Sequence, residues 1–458
     1  DHPDAFGCLA STALHLCDFA RTAEFAPEVE RHIRAGRDII AALIVLGYTG
    51  DPALQRRAGE NYLRIALPGA LAPLPPRKPV RRERIRVAYL SGDFHAHATA
   101  FLISELFERH DRSRFELVGI SYGMDDGGPQ RARIARAFDQ FHDVQGADDA
   151  SVAAGLRTLE IDIAVDLKGH TQGARPGILA LRPAPVQVAY LGYPGTMGGG
   201  GIDYAIADAV VAPFSDAPFF SEKIVHLPGC YQVNDSHRPR PAAGPPRAEL
   251  GLPQDAFVFL SFNKSWKIRA DVFAVWMRLL RAVPGSVLWL LADNDGAQRN
   301  LARAAEAAGI DPVRLVFAPR APLDRHLARH RAADLFLDTL PYNAHTTASD
   351  ALWMGVPVVT VRGGSFAGRV AASLLASLGL DELVTGSLAE YEALALALAR
   401  DPARLRALKD RLEATVPAAA LFDAGRFTRG LEEAYERMWA RALAGLAPEA
   451  FTVGASPT

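Results

Sequence analysis

The chain has 458 residues, of which 49% are hydrophobic and 22% are charged, and its formal net charge is −2. This composition is typical of a globular protein with two or three domains, and it gives no basic surface for nucleic acid or an anionic membrane. No apolar run approaches the roughly 18 residues of a membrane span. Cys8, Cys17 and Cys230 lack metal-type spacing, which favours reduced thiols in a cytoplasm.

The first 70 residues predict helices. Apolar residues recur at spacings of three and four through residues 6–20, 28–46 and 52–66. A proline-rich link follows at residues 68–79. Because the chain begins with Asp rather than Met, we expect further sequence upstream of it.

Strand and helix patterns then alternate, as they do in βαβ units of a parallel sheet. The first group of expected strands covers residues 85–90, 115–121, 161–167 and 186–191, with helices near 98–109 and 130–140. The second group covers residues 257–262, 287–291, 315–317, 335–337 and 356–361, and a helical tail follows at 403–446, with residues after 448 frayed. The pattern therefore predicts two Rossmann-like halves with a ligand cleft between them.

These patterns divide the chain into five predicted segments. They are a helical start at 1–78, a first half at 79–233, a linker at 234–254, a second half at 255–400, and C-terminal helices with a tail at 401–458.

The segment from Asp334 to Asp350 runs from an apolar strand through a polar loop into a helix. A helix N-terminus favours phosphate, and His345, Thr346 and Thr347 add donors there. Asp350 follows one turn later, where its carboxylate would accept hydrogen bonds from ribose hydroxyls. The same residues also suit ordinary helix capping.

A second strand pattern leads into the loop Asn263-Lys-Ser-Trp-Lys267. The chain has only six lysines, and two of them, Lys264 and Lys267, lie in this loop. If both loops follow strands of one parallel sheet, a lysine meets the phosphate that the other loop holds. Nucleotide binding is therefore our first hypothesis.

The first half has a polar loop of its own, Ser91-Gly-Asp-Phe-His-Ala-His-Ala-Thr99. His97 is a candidate acid, base or sugar ligand, and the alternative is a capping or solvent-facing histidine. Asp166-Leu-Lys-Gly-His170 follows the strand expected at 161–167, where a glycine turn is an equally good interpretation. Ala292-Asp-Asn-Asp295 is typical of a helix cap rather than a metal site, and we expect no metal.

These loops together resemble a known family. Ser91–Thr99, Leu181-Arg-Pro-Ala-Pro-Val-Gln-Val-Ala-Tyr-Leu-Gly-Tyr-Pro-Gly-Thr196, Phe262–Lys267 and His345–Asp350 resemble, in order, the catalytic region of O-GlcNAc transferase and SPINDLY-type proteins. The resemblance covers about residues 84–440. The helical start is similar to a last tetratricopeptide unit with transition helices, which implies an upstream repeat array.

The resemblance implies roles for single residues. Lys267 matches the lysine that neutralises the leaving diphosphate, and His97 matches a histidine near the reacting sugar and acceptor. The implied donor contacts are Lys264, His326, His345, Thr346, Thr347, Asp350, Gly192 and Pro194. Three departures stand out: Leu323 replaces a donor-contacting lysine, Lys264 replaces a glutamine, and Asp162 replaces a histidine proposed as catalytic base. The base is therefore left open among His97, Asp162, a donor phosphate oxygen and water.

The fold implied is GT-B, two Rossmann-like domains preceded by a tetratricopeptide-like helical segment. The activity implied is metal-independent, inverting transfer of a sugar from a nucleotide sugar, UDP-GlcNAc before GDP-fucose, to Ser or Thr of proteins in the cytoplasm, with no other cofactor. Acceptors would be recruited by upstream repeats. The alternatives are Asn glycosylation from a UDP-hexose and a nucleotide-binding repeat scaffold without transfer.

Overall fold

The computed structural model describes residues 5–36, 40–67 and 72–454. By their contacts the residues form two compact units. We call one the eight-stranded unit (Ala41–Leu43, Pro52–His237 and Ala420–Thr458) and the other the six-stranded unit (Asp1–Ile40, Ile44–Asp51 and Arg238–Ala419). The helical start is thus divided between both units. Residues 1–4 of the helical start and residues 68–71 of the proline-rich link lie outside the described residues.

The eight-stranded unit is built on one parallel sheet with the strand order β14-β7-β6-β5-β4-β1-β2-β3. Its strands are β1 Ile85–Ser91, β2 Phe115–Ser121, β3 Gln140–Asp143, β4 Ile163–Asp166, β5 Val186–Ala189, β6 Tyr204–Ala207, β7 Lys223–His226 and β14 Phe451–Thr452. Its helices are α4 Pro52–Ala66, α5 Ala98–Arg109, α6 Pro129–Arg136, α7 Asp149–Thr158, α8 Pro176–Ala180 and α16 Ala424–Leu443.

The six-stranded unit has a second parallel sheet with the order β10-β9-β8-β11-β12-β13. Its strands are β8 Val258–Ser261, β9 Val287–Leu291, β10 Leu315–Ala318, β11 Leu335–Leu337, β12 Val358–Val361 and β13 Val384–Thr385. Its helices are α1 Ala5–His15, α2 Phe19–Ala35, α9 Ala270–Ala282, α10 Asp295–Ala307, α11 Leu323–Arg329, α12 Thr346–Trp353, α13 Val370–Ala376, α14 Leu388–Arg400 and α15 Pro402–Thr415, while α3 Ala42–Tyr48 is divided between the units.

Both sheets reverse their strand order beside the first strand of the unit. In the eight-stranded sheet β1 lies between β2 and β4, and in the six-stranded sheet β8 lies between β9 and β11. Loops that leave the carboxyl ends of strands at such a switch point diverge and leave room for a ligand. The loops after β1 and β4, and those after β8 and β11, are therefore the places where each unit can form a site.

The expected alternation of strands and helices is confirmed, and several elements differ from the prediction. Residues 137–140 leave the predicted helix, because α6 ends at Arg136 and β3 begins at Gln140. Strands β6 and β7, of four residues each, were not predicted. The end of the chain was expected to fray, but Phe451 and Thr452 pair with β7.

The helical start also differs in its boundaries. Helix α2 begins at Phe19 because the Asp18 side chain accepts the backbone N–H of Arg21, and it ends before Gly36, which has a left-handed φ of 65°. In the part of the chain that the structure describes, no helix is both long enough and apolar enough to cross a membrane.

Candidate active site

The loops after β8 and β11 lie side by side because these strands are neighbours, with Leu260 paired to Phe336. The Asn263 side chain donates to Oγ1 of Thr339 at 3.1 Å and accepts from Oγ1 of Thr347 at 2.7 Å. One amide thus joins the lysine loop to the loop that precedes α12. The structure brings together the two motifs that the sequence analysis predicted to meet.

Lys267 ends a short 3₁₀ turn, Ser265–Lys267, and points toward the loop before α12. Its Nζ donates to the carbonyl oxygen of Asn343 at 2.8 Å and lies 3.8 Å from the centroid of the Tyr342 ring. Burial lowers the pKa of Lys267 to about 7, although the nearby Asp338 carboxylate favours the charged form. A carbonyl and an aromatic face stabilise an ammonium without neutralising it, so Lys267 still has charge to offer an anion.

Helix α12 begins at Thr346 and supplies the helix N-terminus that the sequence predicted. The His345 ring lies with Nε2 3.2 Å from the carbonyl oxygen of Ala367. Since a carbonyl only accepts, Nε2 carries the proton, and burial together with the charge of Lys267 holds the pKa of His345 well below its usual range. The His345 ring is therefore neutral, and its one N–H already donates to the carbonyl oxygen of Ala367. Phosphate contacts at this end would come from backbone N–H groups and from Thr346.

Asp338 was missed by the sequence analysis and organises this loop. Its buried carboxylate accepts the N–H groups of Thr339 and Ala344, at 2.7 and 2.6 Å, and the Thr360 hydroxyl at 2.6 Å. Burial raises the pKa of Asp338, and the hydrogen bonds oppose this. The one sequence signal was its position directly after β11, at a carboxyl end.

Asp350 lies one turn into α12 and is buried. Its Oδ1 accepts from Arg238 at 2.6 Å, and its Oδ2 lies 3.7 Å from Nε2 of His326. Burial alone would raise the pKa of Asp350, but His326 and Arg238 hold it below its usual value. Each carboxylate oxygen has a further lone pair, so the predicted ribose contact stays a prediction that this geometry allows.

Arg238 gave no local signal in the sequence because it lies in the predicted linker, 112 residues before Asp350. Its guanidinium also lies 5.6 Å from the centroid of the Trp353 ring at the end of α12. His326 itself lies on α11, where its Nδ1 is 2.6 Å from a guanidinium nitrogen of Arg329. Lys264 is exposed, and Leu323 begins α11.

In the eight-stranded unit, the loops after β1 and β4 are joined by a buried ion pair. Nζ of Lys168 lies 2.9 and 3.0 Å from the two carboxylate oxygens of Asp93. Nδ1 of His97 lies 3.5 Å from the same carboxylate and accepts the N–H of Thr99 at 3.2 Å, which makes His97 the N-cap of α5. In the neutral ring Nε2 then carries the proton.

Gly192 and Pro194 follow β5 in the same unit. A Cβ at Gly192 would lie 2.1 Å from the carbonyl oxygen of Leu167, so this position requires glycine for close packing of the two loops. Pro194 is buried. The preceding Leu191 has a φ of 67°, an uncommon conformation for a residue with a side chain.

Asp162, a candidate base, lies at the opposite edge of its sheet from His97. Asp162 precedes β4 and lies at the amino edge of the sheet, whereas His97 follows the carboxyl end of β1. Its carboxylate accepts the N–H of Arg86 and lies 3.1 Å from the Arg77 guanidinium. Asp162 is a buried structural carboxylate, because a parallel strand separates it from the edge that carries the candidate site.

The two parallel α/β units and the helical start define the GT-B class of fold. The profile of glycosyl transferase family 41 matches residues 73–241 and 239–431, and the chain belongs to this family. A mutant O-GlcNAc transferase from Thermobaculum terrenum has a similar structure, with a TM-score of 0.80 and 31% identity over 95% of this chain and 83% of the other.

Two curated plant relatives are similar in sequence. A probable UDP-N-acetylglucosamine–peptide N-acetylglucosaminyltransferase, SEC of Arabidopsis thaliana, is 35% identical over 97% of this chain and 48% of its own length. A SPINDLY protein of Oryza sativa with the same description is 34% identical over 79% of this chain and 40% of its own length. The chain spans about half the length of the curated relatives it matches.

Proposed function

We propose that this chain is the catalytic region of a glycosyltransferase that moves GlcNAc from UDP-GlcNAc to Ser or Thr hydroxyls of proteins, with inversion. One observation carries the proposal: Lys267 reaches the carbonyl of Asn343, in the loop that opens α12. A cation and a helix N-terminus converge there, at the switch point of a parallel sheet, and they match the charge of a diphosphate. The plant relatives, described as UDP-GlcNAc–peptide transferases, support GlcNAc as the sugar.

The proposed reaction is one in-line displacement. The acceptor oxygen forms a bond to the anomeric carbon while the bond from that carbon to the diphosphate oxygen breaks, and the electron pair leaves on the diphosphate. Lys267 and the N-terminus of α12 stabilise the charge that develops there. The hydroxyl proton passes to a donor phosphate oxygen or to water, because Asp162 lies at the amino edge of its sheet and Nδ1 of His97 accepts the N–H of Thr99, which leaves the proton of the uncharged ring on Nε2.

The cation in this design is Lys267, so we infer that UDP binds without a divalent metal. Calorimetric titration of UDP with and without chelator tests this inference. Equal affinities are expected, and loss of binding on chelation would contradict it.

We further infer a cytoplasmic enzyme whose acceptors are recruited by upstream tetratricopeptide-like repeats. All three cysteines lie among the described residues and are free thiols, and Cys17 and Cys230 are buried. The helical start is similar to such repeats, which supports recruitment next to the catalytic region.

The deciding experiment offers the protein equal concentrations of labelled UDP-GlcNAc, UDP-glucose and GDP-fucose together with a cell lysate. Mass spectrometry then maps the modified residue. GlcNAc on Ser or Thr is the expected product. Fucose on Ser or Thr, hexose on Asn, or binding of UDP without any transfer would each replace the proposal with a different one.

A further inference from the structure

The end of helix α1 lies directly against the loop that carries Lys267. Oγ of Ser265 lies 2.8 Å from the carbonyl oxygen of His15, the last residue of α1, and 2.9 Å from the carboxylate of Asp293. Sγ of Cys17 donates to the carbonyl oxygen of Ser265 at 3.3 Å. Burial raises the pKa of Cys17 to about 12, so the thiol keeps the proton that it donates.

Two asparagine side chains that follow β9 cap the end of α1. A helix leaves its last carbonyl groups without intrahelical partners. Nδ2 of Asn294 donates to the carbonyl of His15 at 2.8 Å, and Nδ2 of Asn300 donates to that of Leu16 at 2.9 Å. Oδ1 of Asn294 meanwhile accepts the N–H of Ala297 and begins α10. The end of α1 is therefore held by side chains from the loop and helix after β9.

Trp266 extends this contact toward the lysine. A Cβ at Gly47 would lie 3.2 Å from the Trp266 ring, which shows how closely the helical start packs on it. The Trp266 ring meets the Tyr342 ring edge to face at 5.0 Å, and Nζ of Lys267 lies over that Tyr342 ring. The contacts thus run without a gap from the helical start to the ammonium.

We propose that α1 is a positioning element for Lys267 and that Ser265 is the positioning residue through which it acts. The inference rests on the proposed function, since it assigns to Lys267 the neutralisation of the leaving diphosphate. A lysine on a loop needs a fixed backbone if its ammonium is to lie beside the diphosphate in the transition state. A small displacement of that ammonium lowers the rate strongly. The helical start then contributes to the chemical step as well as to acceptor recruitment.

A double-mutant cycle between Ser265 and Lys267 tests the proposal. Ser265→Ala should lower kcat on a Ser-containing peptide about tenfold and leave the UDP dissociation constant within about twofold. In a Lys267→Ala background the same change should cost almost nothing more, because both changes remove the same contribution. Ser265→Thr, which restores the hydroxyl, should recover most of the rate.

Two further variants serve as matched comparisons. Asn300→Ala releases the end of α1 without touching the lysine loop, and it should lower kcat in the same direction as Ser265→Ala. Ser377→Ala removes a hydroxyl that donates within its own helix, to the carbonyl of Ser373 at 3.0 Å, and should leave kcat unchanged.

These measurements distinguish failure of the positioning proposal from failure of the proposed role of Lys267. If Ser265→Ala slows transfer equally with and without Lys267, or lowers only the melting temperature, the positioning proposal is overturned. If Lys267→Ala itself leaves transfer intact, it is the proposed role of Lys267 that fails.

Discussion

The carboxyl edges of the two sheets each present a lysine, but the lysines are held differently. Lys168 in the eight-stranded unit contacts both oxygens of the Asp93 carboxylate. Lys267 in the six-stranded unit donates to the Asn343 carbonyl and lies over an aromatic ring. A carboxylate cancels the charge of its partner, whereas a carbonyl and a ring do not.

The difference teaches which edge is prepared for an anion. The six-stranded edge holds a lysine whose Nζ directly contacts a carbonyl and a ring, beside a helix N-terminus, and this arrangement suits a diphosphate. The eight-stranded edge uses its lysine to fix a buried carboxylate beneath His97, which suits the orientation of a side chain. The comparison predicts that changes at the first edge alter phosphate chemistry and that changes at the second alter geometry.

The largest expected effect is on stability, at Asp350. From the sequence alone, Asp350→Ala would weaken nucleotide binding by about 1–3 kcal/mol while the fold survives. The structure changes this expectation, because the substitution takes from the buried Arg238 the carboxylate it contacts at 2.6 Å. We now expect the free energy of unfolding to fall by about 3–5 kcal/mol, measured by urea denaturation.

Asp350→Asn is the matched control, since it keeps an oxygen for Arg238 and should lose much less stability. The ribose contact is tested in Asp350→Ala, because an asparagine amide can still hydrogen-bond a hydroxyl. UDP and its 2′,3′-dideoxy analogue should bind the folded Asp350→Ala protein almost equally, and a variant that still prefers UDP as strongly as the parent would remove Asp350 from the ribose site.

The next effect is on turnover, at Lys267. Lys267→Ala should lower kcat about 10²–10³-fold, roughly 3–4 kcal/mol, because the ammonium acts where charge develops in the transition state. The loss in UDP affinity should be smaller, since the N-terminus of α12 remains. Lys264→Ala is the control, because that side chain is exposed on the same loop and should cost less than about threefold. Equal losses of kcat in the two variants would contradict the role of Lys267 in stabilising the leaving diphosphate.

Much of the fold was predictable because the buried strands show strong patterns. Strands β2, β9 and β11 have the predicted bounds, and the wholly apolar Val287–Leu291 illustrates the reason. The two-residue strand Phe451–Thr452 was not predictable, since it pairs with β7, which lies more than two hundred residues earlier in the chain.

The meeting of the two loops was predictable because both follow strands of one sheet, and these loops carry Lys267 and His345. It was not predictable where a contact joins distant segments, as when Arg238 of the linker reaches Asp350. Asp162 shows a further limit: a motif fixes a residue's place along the chain, but whether it precedes or follows the strand decides the edge on which it lies.

The pH dependence of UDP affinity tests further how Lys267 is held. The pKa of Lys267 is lowered to about 7, so the free protein loses the ammonium as pH rises through 7. A bound diphosphate favours the charged form, and UDP binding therefore takes up a proton above pH 7. We expect UDP affinity to fall between pH 7 and 9, by at most tenfold per unit. Calorimetry in buffers of different ionisation enthalpy measures how many protons are taken up when UDP binds. The Lys267→Met variant should show neither this proton uptake nor the dependence of UDP affinity on pH.

The smallest expected effect concerns His97, and it tests the geometric role of the second edge. Nδ1 of His97 accepts the N–H of Thr99, so the neutral ring offers a proton from Nε2 and cannot take one there. A hydrogen-bond donor is worth about 1 kcal/mol, whereas a general base contributes about 10²–10⁴ in rate. His97→Asn keeps a capping oxygen for α5 and should slow transfer only about fivefold to tenfold without loss of stability.

His97→Ala separates the two roles of this residue. It should slow transfer as much as His97→Asn does and, in addition, lower the free energy of unfolding by about 1 kcal/mol, because α5 loses its N-cap. Turnover and denaturant unfolding of both variants supply the four numbers required. A loss of more than a hundredfold in both would make His97 the base after all. Full activity in His97→Asn would leave His97 only its role as the N-cap of α5. The contribution of the eight-stranded edge to transfer would then have to come from Asp93 and Lys168.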